Sequence, residues 1–139
     1  MTSPGQAPTL AEEHFVSLVT FRRNGDPVPT PVWVVGDDDL LWVTTPDGTG
    51  KLRRLARDPH VEVVACDRRG RVPEGAVPVS GSATVHRDAV TVDRVMDLTR
   101  RKHRVETAVF GIVEKIFMRG KDRVAIAITV TGERPPATS

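Results

Sequence analysis

Leu40-Leu41-Trp42-Val43-Thr44-Thr45-Pro46-Asp47-Gly48-Thr49-Gly50-Lys51-Leu52-Arg53-Arg54-Leu55-Ala56-Arg57-Asp58-Pro59 changes its hydrophobic period twice. Leu40–Thr45 is an apolar run of strand length that ends in two hydroxyl residues. Pro46 to Gly50 has the composition of a turn. Over Lys51–Arg57 the apolar residues Leu52, Leu55 and Ala56 follow helical spacing. Pro59 stops that helix, because the residue before a proline avoids the helical region. Val61–Cys66 is again apolar and strand-like. A strand, a glycine-rich turn, a very short helix and another strand therefore follow one another within 27 residues.

Upstream, Leu10–Glu13 reads as a short helical entry and His14–Phe21 as a strand. Asn24-Gly25 is a hairpin dipeptide, since both residues tolerate positive φ. Pro27–Val35 alternates, with Val28, Thr30, Val32 and Val34 on one face and Pro29, Pro31 and Trp33 on the other. Two prolines inside this strand demote it to a sheet edge or to a site where the ladder is interrupted. Gly36 and Asp37–Asp39 make the turn into Leu40. Downstream, Asp67–Gly75 is a polar loop and Val77–His86 a fifth strand, with Gly81 marking a bulge. Asp88 is positioned to cap a helix over Ala89–Lys102. Glu106–Met118 carries a second apolar helical face, with Gly120 as its C-cap. Asp122–Thr131 alternates as a closing strand. The chain is predicted to be mainly β, with about six strands, one short helix at the turn and two helices before the last strand. Mostly antiparallel strands with short links suggest a small barrel.

With 139 residues the chain has the length of one domain, 1–139, since domains most often run to roughly 100–150 residues. Residues 1–9 and 132–139 are rich in Pro, Thr, Ser and Gly and read as flexible tails. The hydrophobic fraction of 39% and charged fraction of 27% describe a globular chain, not a disordered one. A net charge of +2 supplies no field of the kind that marks nucleic-acid binders, and 4% aromatics with no Tyr leave little for base stacking. The single cysteine, Cys66, excludes an intrachain disulfide and fits a reducing cytoplasm. No signal peptide and no apolar run of about 18 residues is present, so a soluble intracellular protein is expected.

Chemistry concentrates at the strand-to-helix junction. Free N–H groups at a helix N-terminus form an anion site, and the helix dipole adds to it. Lys51 and Arg54, three residues apart, share a helical face and could converge on one phosphate, whereas Arg53 is turned to another face. Spacing alone leaves a solvated basic helix equally open. The junction is no Walker loop, because its six-residue framework is missing. His14, His60, His86 and His103 lack metal-ligand spacing and read as structural or surface residues. Cys66, on an apolar strand, reads as a small hydrophobe. The basic run Arg100 to Arg104 complements a helix C-terminus and faces solvent, with attraction of an anionic cofactor tail as the alternative.

In order and spacing, Val28-Pro29-Thr30-Pro31-Val32-Trp33, Leu41-Trp42-Val43-Thr44-Thr45, Gly50-Lys51-Leu52-Arg53-Arg54-Leu55, Arg57-Asp58-Pro59 and Cys66-Asp67-Arg68-Arg69-Gly70-Arg71 resemble the pyridoxamine 5'-phosphate oxidase-like split β-barrels. They are most similar to the actinobacterial branch that uses the deazaflavin coenzyme F420. The resemblance spans about Phe15 to Thr131. It implies a split-barrel (FMN-binding-like) homodimer with two cofactor sites at the subunit interface. Thr30, Pro31, Val32, Trp33, Thr44 and Thr45 would line the cofactor ring and polyol chain. Thr49, Gly50, Lys51 and Arg54 would hold its phosphate, and Val64, Ala65, Cys66 and Asp67 would border the pocket. The implied activity is an F420-dependent reductase passing a hydride to a small, conjugated organic substrate, with the chemistry carried by the cofactor. FMN in the same pocket, or a carrier that binds F420 without catalysis, are the alternatives. No catalytic side chain and no metal is assigned. The basic C-terminal extension of the true pyridoxamine phosphate oxidases has no counterpart in the Pro-Pro-Ala-Thr-Ser end, which argues against that activity.

Overall fold

The computed structural model describes residues 10–37, 39–103 and 123–131. The helix expected over Glu106–Met118 with Gly120 as its cap, and the two terminal tails, lie outside the described residues. Seven strands and two helices follow in the order β1 (Phe15–Phe21), β2 (Pro27–Trp33), β3 (Val35–Asp37), β4 (Leu40–Pro46), α1 (Gly50–Arg57), β5 (His60–Cys66), β6 (Val79–His86), α2 (Ala89–Lys102) and β7 (Arg123–Val130).

The strands form one sheet in the order β2-β1-β5-β6-β7-β4-β3, and every neighbouring pair is antiparallel. β2 and β3 are the two edges of that sheet, yet only Val34 separates them in the chain. The sheet must therefore curl until its edges nearly meet, which is how a barrel removes its exposed edges. Alternation in the sequence makes Pro27–Val35 one strand and the total about six. The ladder breaks because Val34 and Val35 are both buried, at 0% and 2% exposure, which strict alternation does not allow. There the chain leaves β1 and begins to pair with β4.

Inside the barrel Val16, Leu18, Leu41, Val43, Val61, Val63, Val124, Ile126 and Ile128 form one core, and Leu52 and Leu55 of α1 pack into it. Outside, Val92 and Val95 of α2 cover Val35, Trp42, Ala125 and Ala127. β7 is thus buried on both faces, by alternation of large residues inward and alanines outward. Asp88 caps α2, accepting from the backbone N–H of Thr91 at 3.0 Å and from its hydroxyl at 2.6 Å.

β2 is an edge strand, as its prolines require. Pro27, Pro29 and Pro31 recur every second residue, so all three nitrogens point to the same, unpaired side. At the β1–β2 turn only Gly25 has positive φ (94°), while the Asn24 side chain accepts from the Asp26 N–H at 3.0 Å. Gly81 is not a bulge. It pairs in register with Val61 and Val130, and a Cβ there would stand 2.9 Å from the Thr129 carbonyl oxygen. The position needs glycine because the barrel interior has no room for a side chain. Among the described residues no helix is long and apolar enough to cross a membrane.

Candidate cofactor site

α1 lies across one mouth of the barrel because Leu52 and Leu55 are sunk into the core. That docking fixes the rest of the helix: Lys51 and Arg54 are half-buried and Arg53 is exposed. Thr49 stands at the N-cap without making a side-chain capping bond, and no acidic residue occupies the first turn. The first helical N–H groups and the positive end of the dipole are thereby left for an anion.

Three cations from two elements face one another here. Lys51 has no hydrogen-bond or ion-pair partner among the described residues. Burial, then the charges of Arg54 and Arg123, hold its ammonium below the ordinary 10.5. Arg123 enters from β7, opposite Pro46, and donates from Nη2 to Thr44 Oγ1 at 3.2 Å. Burial lowers its pKa as well. Arg54 donates from Nε to Thr20 Oγ1 at 2.7 Å, while its Nη1 lies 2.8 Å from where a Cβ on Gly50 would stand. Asp47, the nearest carboxylate in the turn, is already taken by the Gly48 N–H and Arg87, each at 2.8 Å. The hydroxyls of Thr45 and Thr49 are buried without a partner. Thr45 pairs with Val124 and faces the barrel core. The Thr49 hydroxyl, a half-buried ammonium unpaired among the described residues and a glycine where a side chain would displace the Arg54 tip suit a phosphate.

The Arg53 guanidinium does not turn away as its helical position suggested. It folds back toward the helix start, with Nη1 3.3 Å from the Gly48 carbonyl oxygen and Nη2 3.6 Å from the same Cβ position on Gly50.

The remaining expected residues lie along β1. Its register sets Trp33, Phe15 and Cys66 side by side, then Val32, Val16 and Ala65, then Pro31, Ser17 and Val64, then Thr30, Leu18 and Val63. Paired residues share a face, so the side chains of these runs divide. Thr30, Val32 and Ala65 face the barrel core, whereas Pro31, Trp33, Val64 and Cys66 face outward. Arg54 touches β1 at Thr20 and Trp33 touches it at Phe15, five residues away, or roughly 17 Å in a strand. The outward residues and the cation cluster thus occupy opposite ends of one strand, and only an elongated ligand could reach both.

Trp33 stacks on His103 with ring centroids 4.5 Å apart and planes 4° from parallel, and His14 meets His103 edge-on at 5.5 Å. His103 is fully buried. Lys102 donates to the carbonyls of Ala11 and Glu13 at 2.5 Å and of Val34 at 2.7 Å. These two residues do not face solvent as the basic run suggested: their positive charge and ring tie the end of α2 to the β2–β3 link. Cys66 is half-buried, and burial, then Asp67 and Glu13, push its thiol above its usual range, so it stays protonated at neutral pH. Asp67 closes its own loop, accepting from the N–H groups of Arg69 and Arg71 at 2.8 Å. Arg123, Thr20 and Arg53 have contacts near α1 that sequence reasoning missed.

Several solved structures share this fold. An F420 reductase is 19% identical with a TM-score of 0.62, covering 93% of this chain and 96% of that one. A conserved hypothetical protein from Mycobacterium tuberculosis is 21% identical with a TM-score of 0.69, covering 94% and 81%. An FAD-binding protein from Mesorhizobium loti is 16% identical with a TM-score of 0.61, covering 92% and 89%. No curated protein matches the chain. The family model for pyridoxamine 5'-phosphate oxidase matches residues 5–134, nearly the whole sequence, and the chain belongs to that family.

Proposed function

We propose that the protein is a cytoplasmic F420-dependent oxidoreductase whose cofactor phosphate is held at the start of α1. The observation that carries this reading is Lys51, a half-buried ammonium without a partner among the described residues, facing Arg54 and Arg123 at a helix N-terminus. Such an arrangement is unfavourable in the empty protein and becomes favourable once an anion enters. Lys51, Arg54 and Arg123 neutralise the phosphate, Thr49 donates to its oxygens, and Gly50 leaves space for it. Pro31 and Trp33 offer an outward apolar surface beside the same strand, suited to a flat ring that must be shielded from water. When bound, the deazaflavin supplies hydride transfer to a small conjugated organic acceptor. The exposed prolines of edge strand β2 support a homodimer in which a second copy covers that ring.

The likeness to F420 reductase favours the deazaflavin. A flavin in the same site is the second reading, favoured by the likeness to the FAD-binding protein. Fluorescence titration of the purified protein with F420 and with FMN separates them. Tighter F420 binding supports the proposal, and a clear FMN preference overturns the cofactor. Reduced F420 offered with a panel of enones and quinones tests catalysis, and binding without any turnover indicates a carrier.

A further inference from the structure

We infer that Arg87 is a positioning residue of the site: it holds and neutralises the Asp47 carboxylate, which would otherwise compete with a bound phosphate for Lys51. The inference rests on the phosphate site proposed above and adds a residue that does not touch the ligand. Asp47 is the only carboxylate between Leu40 and Arg57, two residues before the Thr49 N-cap and four before Lys51. A negative charge at that place repels an incoming phosphate and attracts the same ammonium and the same end of the helix dipole. The carboxylate is engaged elsewhere. It accepts from the Gly48 N–H and from Arg87 Nη1, each at 2.8 Å. The bond from Arg87 is the first cause holding its carboxyl below the usual 3.8, so it is fully charged at neutral pH and needs a counter-charge. Arg87 supplies that charge from another part of the chain. His86, the last residue of β6, pairs with Ala125, and Thr44 pairs with the same Ala125 from the other side. The ends of β4 and β6 therefore flank the start of β7, where Arg123 enters. Asp88 anchors the next position by capping α2. Arg87 thus reaches the β4–α1 turn from a fixed backbone. Both partners are exposed, so the pair adds little to stability. Its effect is to leave Lys51 available to a ligand.

Fluorescence titration of the full chain with F420, and in parallel with FMN, tests this in the parent, Arg87→Ala, Asp47→Asn and the double variant. Both probes carry the phosphate, so the outcome does not depend on which ring is preferred. Arg87→Ala is expected to weaken binding about three- to tenfold, as one uncompensated and partly screened charge would. Asp47→Asn keeps an oxygen for the Gly48 N–H and should bind within about twofold of the parent, or more tightly. The double variant should regain the parent affinity to within about twofold, because the competing charge is gone. A salt bridge that served only the fold would behave differently, with both single variants and the double variant weakened alike. That pattern, parent-like binding by Arg87→Ala, or a double variant as weak as Arg87→Ala would overturn the inference. Lys51→Ala separates the two levels. If it weakens binding while Arg87→Ala does not, the phosphate site stands and only the role of Arg87 is wrong. If Lys51→Ala binds as the parent does, both readings fail. Circular dichroism verifies that each variant is folded.

Discussion

Nη1 of Arg54 lies 2.8 Å from the point a β-carbon on Gly50 would occupy, so residue 50 and the guanidinium compete for one space. Gly50 sits in helical backbone without positive φ, and alanine there is conformationally favourable. Gly50→Ala is therefore expected to leave stability unchanged or raise it by up to about 1 kcal/mol. The displaced Arg54 tip should lower cofactor affinity on the order of tenfold, as loss of a charged hydrogen bond does. Thermal unfolding and a cofactor titration on the same sample verify the split. Loss of stability with intact binding would show that the glycine serves the fold.

Lys51 gives a pH signature. Its folded-state pKa is depressed, first by burial and then by Arg54 and Arg123, below the ordinary 10.5. Between the two values the unfolded chain binds the extra proton, so stability rises with pH across that window. The destabilisation is fully present below the folded-state value and is relieved as pH climbs toward 10.5. Denaturant unfolding at several pH values from 7 upward should therefore show the parent gaining stability relative to Lys51→Ala. A constant difference between the two proteins would mean that the ammonium is fully solvated.

His103 is expected to act as a core residue. It is fully buried, stacked on Trp33, and its Nε2 lies 3.4 Å from the Val34 carbonyl oxygen. His103→Ala removes a packed ring and should cost about 2–4 kcal/mol. His103→Phe keeps the stacked ring and should cost less. Urea unfolding curves of the three proteins decide this, and equal midpoints for parent and His103→Ala would refute it.

Most of the fold was legible because its signals are local. Asp88 before an amphipathic run announced α2 to the residue, and prolines at every second position announced the β2 edge. What escaped depends on contacts distant in sequence. Arg123 looks like the polar start of a strand until the register sets it opposite Pro46, beside the helix that β4 leads into. Thr20 is an ordinary strand threonine until α1 lays Arg54 against it. Helical spacing places the Cβ of Arg53 correctly, but a long side chain can fold back along the helix, and this one does. His103 was hidden in a basic run, where only packing against Trp33 reveals it. The break at Val34 shows locally only as two consecutive valines, because the proline spacing before them reads as one continuous alternation.

The most direct test of the account is the affinity of F420 for Lys51→Ala compared with the parent, measured by fluorescence titration at fixed ionic strength. A charge-assisted contact to phosphate is worth about 1.5–3 kcal/mol, so affinity should fall on the order of ten- to a hundredfold. Unfolding measurements alongside should show a variant as stable as the parent or more so, since the lysine it loses is half-buried and unpaired among the described residues. Equal affinity of parent and variant would contradict the account, and α1 would then present no more than a solvated basic face.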